Sequence, residues 1–363
     1  MFEQDALPRG VRLWLWLWLW RRLRLRRLGD GAGPFGGHVR LLLPARLCEP
    51  PTGQDAEPGP EQPGAGAREQ ETRAEEDKGR GGRMAQVVEL AYYPVKGCGA
   101  AAVREAEMTR AGLAHDRAFM VITPEGVGRT QRRDPGLARV RPEVVRHGAD
   151  REEALRLTAP GHGRADIPLT RSGPQREVEM LGSPFSGIDQ GDEAAEWFSD
   201  LLAAPSRLVR VPPGHDRVTD GRTPGTSGYA DSCAVHLLSL ATLRELNARL
   251  GAEGEAPLPI DRFRPNIVVD GWEEEPHAED RVRRVSIGDA ELGYAKLALR
   301  CVVTTVEQRA GTRSGPEPLR MLARYRRATG GGVAFGSKFA VLRAGTLAVG
   351  DKTEVTDWAE SEL

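Results

Sequence analysis

The residues best suited to chemistry in this sequence surround one cysteine near the C-terminal end. Cys301 follows Arg300 and precedes five β-branched residues in the segment LALRCVVTTVEQRAG. A guanidinium favours deprotonation of a neighbouring thiol, and thiolates are good ligands for soft metals. An isolated cysteine beside two valines is more often a small buried apolar residue, so the local pattern leaves both interpretations open.

Six sequence words occur in order along the chain. They are YPVKGC from Tyr93, GLAHDRAFMV from Gly112, FRPNIVVDG from Phe263, RCVVTTVEQRAG from Arg300, EPLRMLARYRR from Glu317 and GVAFG from Gly332. Together they resemble the MOSC family of molybdenum-cofactor proteins, in its subgroup with an N-terminal β-barrel domain that includes the mitochondrial amidoxime-reducing component and its bacterial relatives. The resemblance covers about residues 84 to 355, and six ordered words are far more specific than any one of them.

The resemblance implies a cofactor site in the cleft between two domains. A pyranopterin carries a phosphate and a heterocycle edged with donors and acceptors, so its site needs fixed cations and bidentate polar groups. The cofactor-binding residues would be Lys96 and Arg117 from the first domain and Arg264, Asn266 and Arg300 from the second. Cys301 would ligate molybdenum. Without the resemblance, solvated surface cations and a turn at Arg264 are the simpler interpretation.

Asp231 is the second candidate catalytic residue. It lies in YADSCAVHLLS, which resembles the family segment that leads into the first helix of the second domain. There it would order a metal-bound water or relay a proton, or it would only cap a turn. Cys233 and Gly97 depart from the family pattern, which favours a small polar residue or proline at the first position and serine at the second. His236 is expected to be a core histidine with satisfied hydrogen bonds.

The implied reaction is two-electron reduction of N-hydroxylated compounds by a molybdenum-cofactor oxidoreductase. The chain has no cysteine set for an iron–sulfur cluster and no nicotinamide fingerprint, so a separate electron-donor protein of ferredoxin type or similar is expected. A carrier of the cofactor, or of persulfide sulfur on Cys301, is the alternative, and a non-catalytic pterin-binding scaffold is a third possibility. Pyridoxal phosphate binding is a further association of the family as a whole.

Composition excludes several other classes of protein. With 363 residues, 39% hydrophobic residues and a net charge of -1, the chain is typical of a two-domain globular protein, and no nucleic-acid or membrane partner is expected. The four cysteines, Cys48, Cys98, Cys233 and Cys301, are widely separated and include no C-x-x-C pair. This spacing argues against a disulfide framework or a structural zinc site and favours a reducing, cytoplasmic location.

The first 83 residues differ from the rest. A strict Leu-Trp alternation runs into an arginine-rich stretch, and residues 49 to 83 contain no Ile, Val, Met or aromatic residue. Such a composition cannot offset the entropy of ordering, so we expect disorder or an upstream extension that is not native, with the native start at Met84. A mitochondrial targeting segment is the alternative, although a period of two does not suit an amphipathic helix.

The predicted fold is mostly β with α (α+β). It consists of an N-terminal β-barrel-like domain over residues 84–211 and a MOSC β-barrel domain over residues 229–357, with a few packed helices. Predicted strands cover 87–92, 118–123, 155–158, 178–181, 266–269, 282–287 and 297–306, with a β meander over 333–355. Predicted helices cover 192–204, 239–250 and 317–328, the second with a capping box at Thr242 and Glu245.

Overall fold

The computed structural model of the protein describes residues 85–148, 152–272 and 275–363. The expectations for residues 1–83, including Cys48, lie outside the described residues. Strands dominate the described part of the chain, and its three α-helices are α1 (Asp192–Leu202), α2 (Leu240–Ala252) and α3 (Leu319–Tyr325). The prediction of a mostly β fold with α is confirmed.

The strands fall into a first and a second half of the chain. The first half contains β1 (Gln86–Tyr92), β2 (Ala101–Val103), β3 (Glu105–Thr109), β4 (Gly112–Leu113), β5 (Phe119–Ile122), β6 (Arg141–His147), β7 (Glu152–Thr158), β8 (Arg164–Pro168), β9 (Gln175–Met180), β10 (Ser183–Asp189) and β11 (Arg207–Arg210). The second half contains β12 (Val218–Thr219), β13 (Gly225–Thr226), β14 (Val235–Ser239), β15 (Ile267–Asp270), β16 (Val282–Ile287), β17 (Ala290–Arg300), β18 (Val306–Glu307), β19 (Thr312–Arg313), β20 (Val333–Arg343), β21 (Gly345–Ala348) and β22 (Thr353–Trp358).

The largest sheet has eight strands in the order β2-β1-β15-β14-β20-β17-β16-β22. Its neighbours are antiparallel except β14 and β15, which are parallel and connected through α2. Parallel neighbours require such a crossover, and the helix covers one face of the sheet. The strands of this sheet bury an apolar core that includes Val87, Leu237, Ile267, Leu292 and Phe339.

The two halves of the chain share this sheet. β1 comes from the N-terminal region, yet it pairs with β15, with Leu90 opposite Ile267. Residues that follow β1 are therefore placed beside residues that precede β15. The division into domains at 84–211 and 229–357 stays a prediction, and any such division must accommodate this pairing.

Most of the remaining strands of the first half form smaller sheets around their own core, whereas β3 and β4 form a sheet with β21. A four-stranded sheet has the order β5-β11-β10-β9, and a three-stranded sheet has the order β6-β7-β8. Between them α1 buries Phe198 in a cluster with Val95, Phe119, Leu137 and Leu155. The last turn of α1 ends at Ala203, which takes the left-handed conformation.

Three local predictions were wrong in detail. The N-cap of α2 is Ser239, whose hydroxyl accepts a hydrogen bond from the Ala241 amide at 3.1 Å, so the capping box at Thr242 does not begin the helix. The strand expected over 297–306 is β17, which ends at Arg300 and is followed by a 3₁₀ helix at Val302–Thr305. α3 is shorter than predicted at both ends.

A helix that crosses a membrane must be long and apolar. Within residues 85–148, 152–272 and 275–363, no helix has the length and apolar content that crossing requires.

Candidate functional site

One cavity brings together all seven residues that the sequence singled out. It has a volume of about 150 Å³ and lies where the segments after β1 and before β5 meet those before β14, before β15 and after β17. Its lining includes Lys96, Arg117, Asp231, Arg264, Asn266, Arg300 and Cys301. We call it the cofactor cavity below. The functional roles of these seven residues remain predictions, but their proximity is a feature of the structure.

Cys301 presents its thiol to this cavity from the end of β17. The side chain is partly exposed, and its Sγ lies 3.5 Å from Nη2 of Arg132. Cys98 and Cys233, the other cysteines in the described residues, are buried, and burial raises the pKa of both thiols, that of Cys98 to about 12. A reactive thiolate needs access and nearby positive charge. Among the three described cysteines, Cys301 combines both.

Lys96 and Asp231 form an ion pair on one side of the cavity. Lys96 is 5% exposed, and its ammonium donates to the Tyr229 carbonyl at 2.8 Å as well as to Asp231. Asp231, whose side chain is 49% exposed, also accepts from Nη2 of Arg132 at 3.1 Å. Burial would raise the pKa of Asp231, but Lys96 and Arg132 outweigh it and hold that pKa well below its usual range. Asp231 is therefore a carboxylate at neutral pH.

A second part of the cavity lining is held by a hydrogen-bonded network around Arg117. Its guanidinium donates to the buried Asp116 carboxylate at 2.7 Å and to Oδ1 of Asn266 at 3.1 Å. Asn266 in turn donates to Asp116 at 3.1 Å and to the Ala91 carbonyl at 3.1 Å. Asn266 thus connects β1 to the segment before β5, and the network fixes the direction of the Arg117 side chain.

Arg264 is held against the same network by its backbone and by an aromatic ring. Its φ is 58°, in the left-handed region that non-glycine residues rarely adopt, and its Nη1 donates to the Cys98 carbonyl at 2.6 Å. The guanidinium carbons of Arg117 and Arg264 lie 4.2 and 4.3 Å from the centroid of the Tyr93 ring. Strained backbone of this kind is common where a side chain must be placed for function.

Arg300 and Lys338 add positive charge that the protein neutralises poorly. Nη2 of Arg300 donates to the Phe263 carbonyl at 2.7 Å, but its buried Nε has no hydrogen-bond partner among the described residues. The side chain of Lys338 makes neither a hydrogen bond nor an ion pair in the described part of the chain. Burial, followed by repulsion from neighbouring arginines, lowers the pKa of Arg300 to about 10 and that of Lys338 to about 7.

His236 lies behind the cavity on β14. It is buried as expected, but in the described structure neither ring nitrogen makes a hydrogen bond of normal geometry. Burial and the nearby Lys338 keep the pKa of His236 well below its usual value, so the ring is neutral. Gly336 packs so closely that a Cβ there would lie 2.5 Å from Nε2 of His236, and its φ is 76°. This approach explains the second glycine of GVAFG.

Sequence reasoning missed two cationic residues of the cavity. Arg132 contacts both Asp231 and Cys301, but it lies in TQRRDP, where several arginines are equivalent by pattern. Lys338 lies only two residues beyond GVAFG, so extension of that word would have found it. Gly97, where the family pattern favours serine, has a φ of 82°, a conformation that suits glycine.

The charge of the cavity lining and its one accessible thiol define a class of site. Six cationic side chains line the cavity, and Asp231 is the only carboxylate among the described residues of its lining. No cluster of three or more His, Cys, Asp or Glu side chains suited to a metal ion occurs in the described ranges. A single accessible thiol within a cationic pocket suits a metal that arrives on an anionic organic cofactor.

Comparison with known proteins agrees with this class. Residues 84–205 match the family described as the MOSC N-terminal beta barrel domain, and residues 224–354 match the MOSC domain. The chain is 33% identical over 290 residues to mitochondrial amidoxime-reducing component 1 of Mus musculus, which covers 74% of this chain and 82% of that relative. It is 32% identical over 289 residues to mitochondrial amidoxime-reducing component 1 of Homo sapiens, with coverage of 74% and 82%.

A second kind of relative is a longer protein. The chain is 30% identical over 294 residues to molybdenum cofactor sulfurase of Anopheles gambiae, a match that covers 77% of this chain but 35% of that relative. Both kinds of relative carry names that refer to amidoxime reduction or to the molybdenum cofactor. This chain belongs to the MOSC family, in the group that combines an N-terminal MOSC β-barrel domain with a MOSC domain.

Proposed function

We propose that this protein is a molybdenum-cofactor-dependent oxidoreductase that reduces N-hydroxylated compounds with electrons from a separate redox protein. The observation that carries the proposal is the single accessible thiol of Cys301 in a cavity lined by six cations and one carboxylate. Similarity to amidoxime-reducing components supports the reaction class.

The charge of the cavity fits an anionic, phosphate-bearing cofactor. Arg300 keeps an unpartnered buried Nε and the side chain of Lys338 makes no hydrogen bond or ion pair in the described structure, so these two basic side chains have capacity for an external oxyanion. Arg264 adds a third cation held by backbone and ring contacts. Buried donors without acceptors are costly, and a bound phosphate would satisfy them.

The size of the cavity depends on Arg132. A volume of about 150 Å³ is smaller than the roughly 300–1,000 Å³ of typical small-molecule sites. Arg132 occupies the space between Asp231 and Cys301, and its side chain is 32% exposed. Because it is long and reaches solvent, it can turn outward to admit the cofactor. We therefore include Arg132 among the residues that would contact the bound group.

The residues have separate roles in the proposed mechanism. The metal, when bound, supplies two-electron oxygen-atom chemistry that no side chain can perform. Cys301 would hold the metal, while Arg117 would present its guanidinium to the heterocycle and Asn266 would keep that guanidinium in place. The net reaction, R–NHOH + 2e⁻ + 2H⁺ → R–NH₂ + H₂O, consumes two protons. Burial lowers the pKa of Lys96, so its ammonium is a stronger acid than usual and is suited to supply one of them.

Asp231 would act as a fixed anion. Its carboxylate orients Lys96 and Arg132, and its depressed pKa makes it a hydrogen-bond acceptor for a water or a substrate N–H at neutral pH. This is a narrower role than a proton relay.

The cellular setting is part of the proposal. Free thiols at all three described cysteines support a reducing, cytoplasmic location, and a separate donor of ferredoxin type or similar would refill the site with electrons. Import of the tagged full-length chain into mitochondria would contradict the location.

The test combines metal analysis with turnover. Purified protein should contain about one molybdenum per chain and should reduce a hydroxylamine or an amidoxime with reduced viologen, but not with NADPH alone. A ferredoxin-type partner with its reductase should restore NADPH-dependent turnover. Metal-free protein that carries cyanide-labile sulfur on Cys301 would instead establish the carrier function. Full molybdenum loading without turnover by any donor would indicate that the protein is a non-catalytic scaffold for the cofactor.

A further inference from the structure

A second and larger cavity lies beside the cofactor cavity. Its volume is about 970 Å³, within the range of sites for small molecules. Asp116 lines this second cavity and Arg117 lines the cofactor cavity, so the two are neighbours across one short segment. The charged residues of its lining are Glu105, Glu107, His115, Asp116, Arg146, Glu153, Arg171 and Arg210.

Arg210 is the unusual member of this lining. It is 6% exposed, it makes no side-chain hydrogen bond or ion pair in the described structure, and its buried Nη1 is without a partner. The contact that holds it is with Phe119, directly opposite on β5, whose ring centroid lies 5.4 Å from the guanidinium carbon. A buried guanidinium without an acceptor is costly, so Arg210 calls for an acceptor from outside the protein, such as a bound anion.

Glu153 is the acidic residue of the lining whose charge acts on Arg210, but the two form no ion pair in the described structure. Glu153 is already shared by three basic side chains: Nε2 of His115 at 3.5 Å, Arg146 at 3.4 Å and Arg171 at 3.4 Å. Asp116 is paired with Arg117 and Asn266 on the other side of the segment. Three arginines of the lining, Arg146, Arg171 and Arg210, therefore depend on the single carboxylate of Glu153, while Glu105 and Glu107 supply further negative charge to the cavity.

We propose that this second cavity is an anion-binding site, in which Arg210 receives a small ligand bearing a carboxylate or phosphate group. The guanidinium offers a planar pair of donors that matches either oxyanion. Arg171 lines the same cavity and adds a second positive charge that acts on Arg210. The inference is independent of the molybdenum site, since no residue of that reaction contributes to it.

The test uses the full chain in cofactor-loaded form and two probes, inorganic phosphate and succinate, against chloride at matched ionic strength. Thermal unfolding and titration calorimetry should show binding of at least one probe to the wild type and a rise in Tm. Arg210→Met keeps the apolar stem and removes the charge. We expect it to weaken probe binding by about tenfold or more. Its Tm without probe should equal or exceed that of the wild type, because an unpaired buried charge has gone.

Three controls keep the result interpretable. Arg343→Met removes one exposed positive charge that lines neither cavity, and it should bind the probes as the wild type does. Arg210→Lys keeps the charge without the paired donors and should give an intermediate affinity. Loss of binding in Arg300→Met with normal binding in Arg210→Met would assign the anion to the cofactor cavity and overturn the proposal. Absence of binding to either probe, or equal binding by wild type and Arg210→Met, would also overturn it.

Discussion

Tyr93 supports two of the cationic side chains that line the cofactor cavity. It is 2% exposed, its ring lies under the guanidinium groups of Arg117 and Arg264, and its hydroxyl donates to the Pro265 carbonyl at 3.0 Å. Tyr93→Phe removes only the hydroxyl, whereas Tyr93→Leu also removes the aromatic ring. The pair of variants therefore isolates the contribution of the two ring contacts.

The structure allows the size of this contribution to be estimated. A contact between a guanidinium and an aromatic ring is worth about 0.5–2 kcal/mol, more when desolvated, so the two at Tyr93 give about 1–4 kcal/mol. Both variants lose the donor to the buried Pro265 carbonyl at a cost of about 1–3 kcal/mol, which cancels between them. Beyond the packing lost when Phe becomes Leu, the free energy of unfolding of Tyr93→Leu should therefore lie about 1–4 kcal/mol below that of Tyr93→Phe.

Urea unfolding followed by circular dichroism measures this difference, and molybdenum retained after dialysis gives a second readout. Tyr93→Phe should retain metal like the wild type, and Tyr93→Leu should not. Tyr92 provides a matched control, because it is also buried but no arginine lies over its ring among the described residues. The same two substitutions at Tyr92 measure packing alone. If the free energies of unfolding of the Leu and Phe variants differ no more at Tyr93 than at Tyr92, the two ring contacts contribute nothing to stability.

Three further predictions concern charge. In a double-mutant cycle of Lys96→Met and Asp231→Asn, unfolding should reveal a favourable coupling of about 1 kcal/mol. The coupling is modest because the Asp231 side chain is half exposed. Zero coupling would show that this ion pair does not contribute to stability. Arg264→Met and Arg300→Met should each lower cofactor retention by about tenfold or more, and normal retention in both would show that the phosphate lies elsewhere. Glu279 is buried, and burial, assisted by Asp280, raises its pKa to about 7 from 4.5, so the folded state holds a proton that the unfolded state releases. The free energy of unfolding should therefore fall as pH rises from about 4.5 to about 7. Glu279→Gln should remove this pH dependence and be more stable than the wild type at pH 8. An unchanged pH profile in this variant would contradict the raised pKa of Glu279.

Much of the fold could be predicted because local pattern and burial agree. The strand over 282–287 was predicted with its observed bounds, because its apolar residues Val282, Val285 and Ile287 are buried and the polar residues between them are not. The end of β17 could not be predicted, because VVTT is a typical strand sequence. The Thr304 hydroxyl donates to the Cys301 carbonyl at 2.9 Å and the Thr305 hydroxyl to the Val302 carbonyl at 2.8 Å. These local hydrogen bonds favour a 3₁₀ turn over a longer strand.

The site was predictable only where its residues fell within recognisable words. Arg264 and Asn266 lie in FRPNIVVDG, and the structure places both in the cavity. Arg132 reaches Cys301 across 169 positions of sequence, a contact that no local pattern encodes. The unpaired Arg210 of the second cavity is likewise a property of the packed structure, since its burial and lack of acceptors arise only when β11 pairs with β5.

The proposed function depends on ligation of molybdenum by Cys301 in the cofactor cavity. X-ray absorption at the molybdenum edge tests it most directly, on the wild type, on Cys301→Ser and on the control Cys233→Ser, whose thiol also lines the cavity but is buried. We predict one sulfur ligand fewer and loss of turnover in Cys301→Ser with unchanged circular dichroism, and wild-type spectra in Cys233→Ser. Wild-type sulfur coordination and turnover in Cys301→Ser would contradict the account.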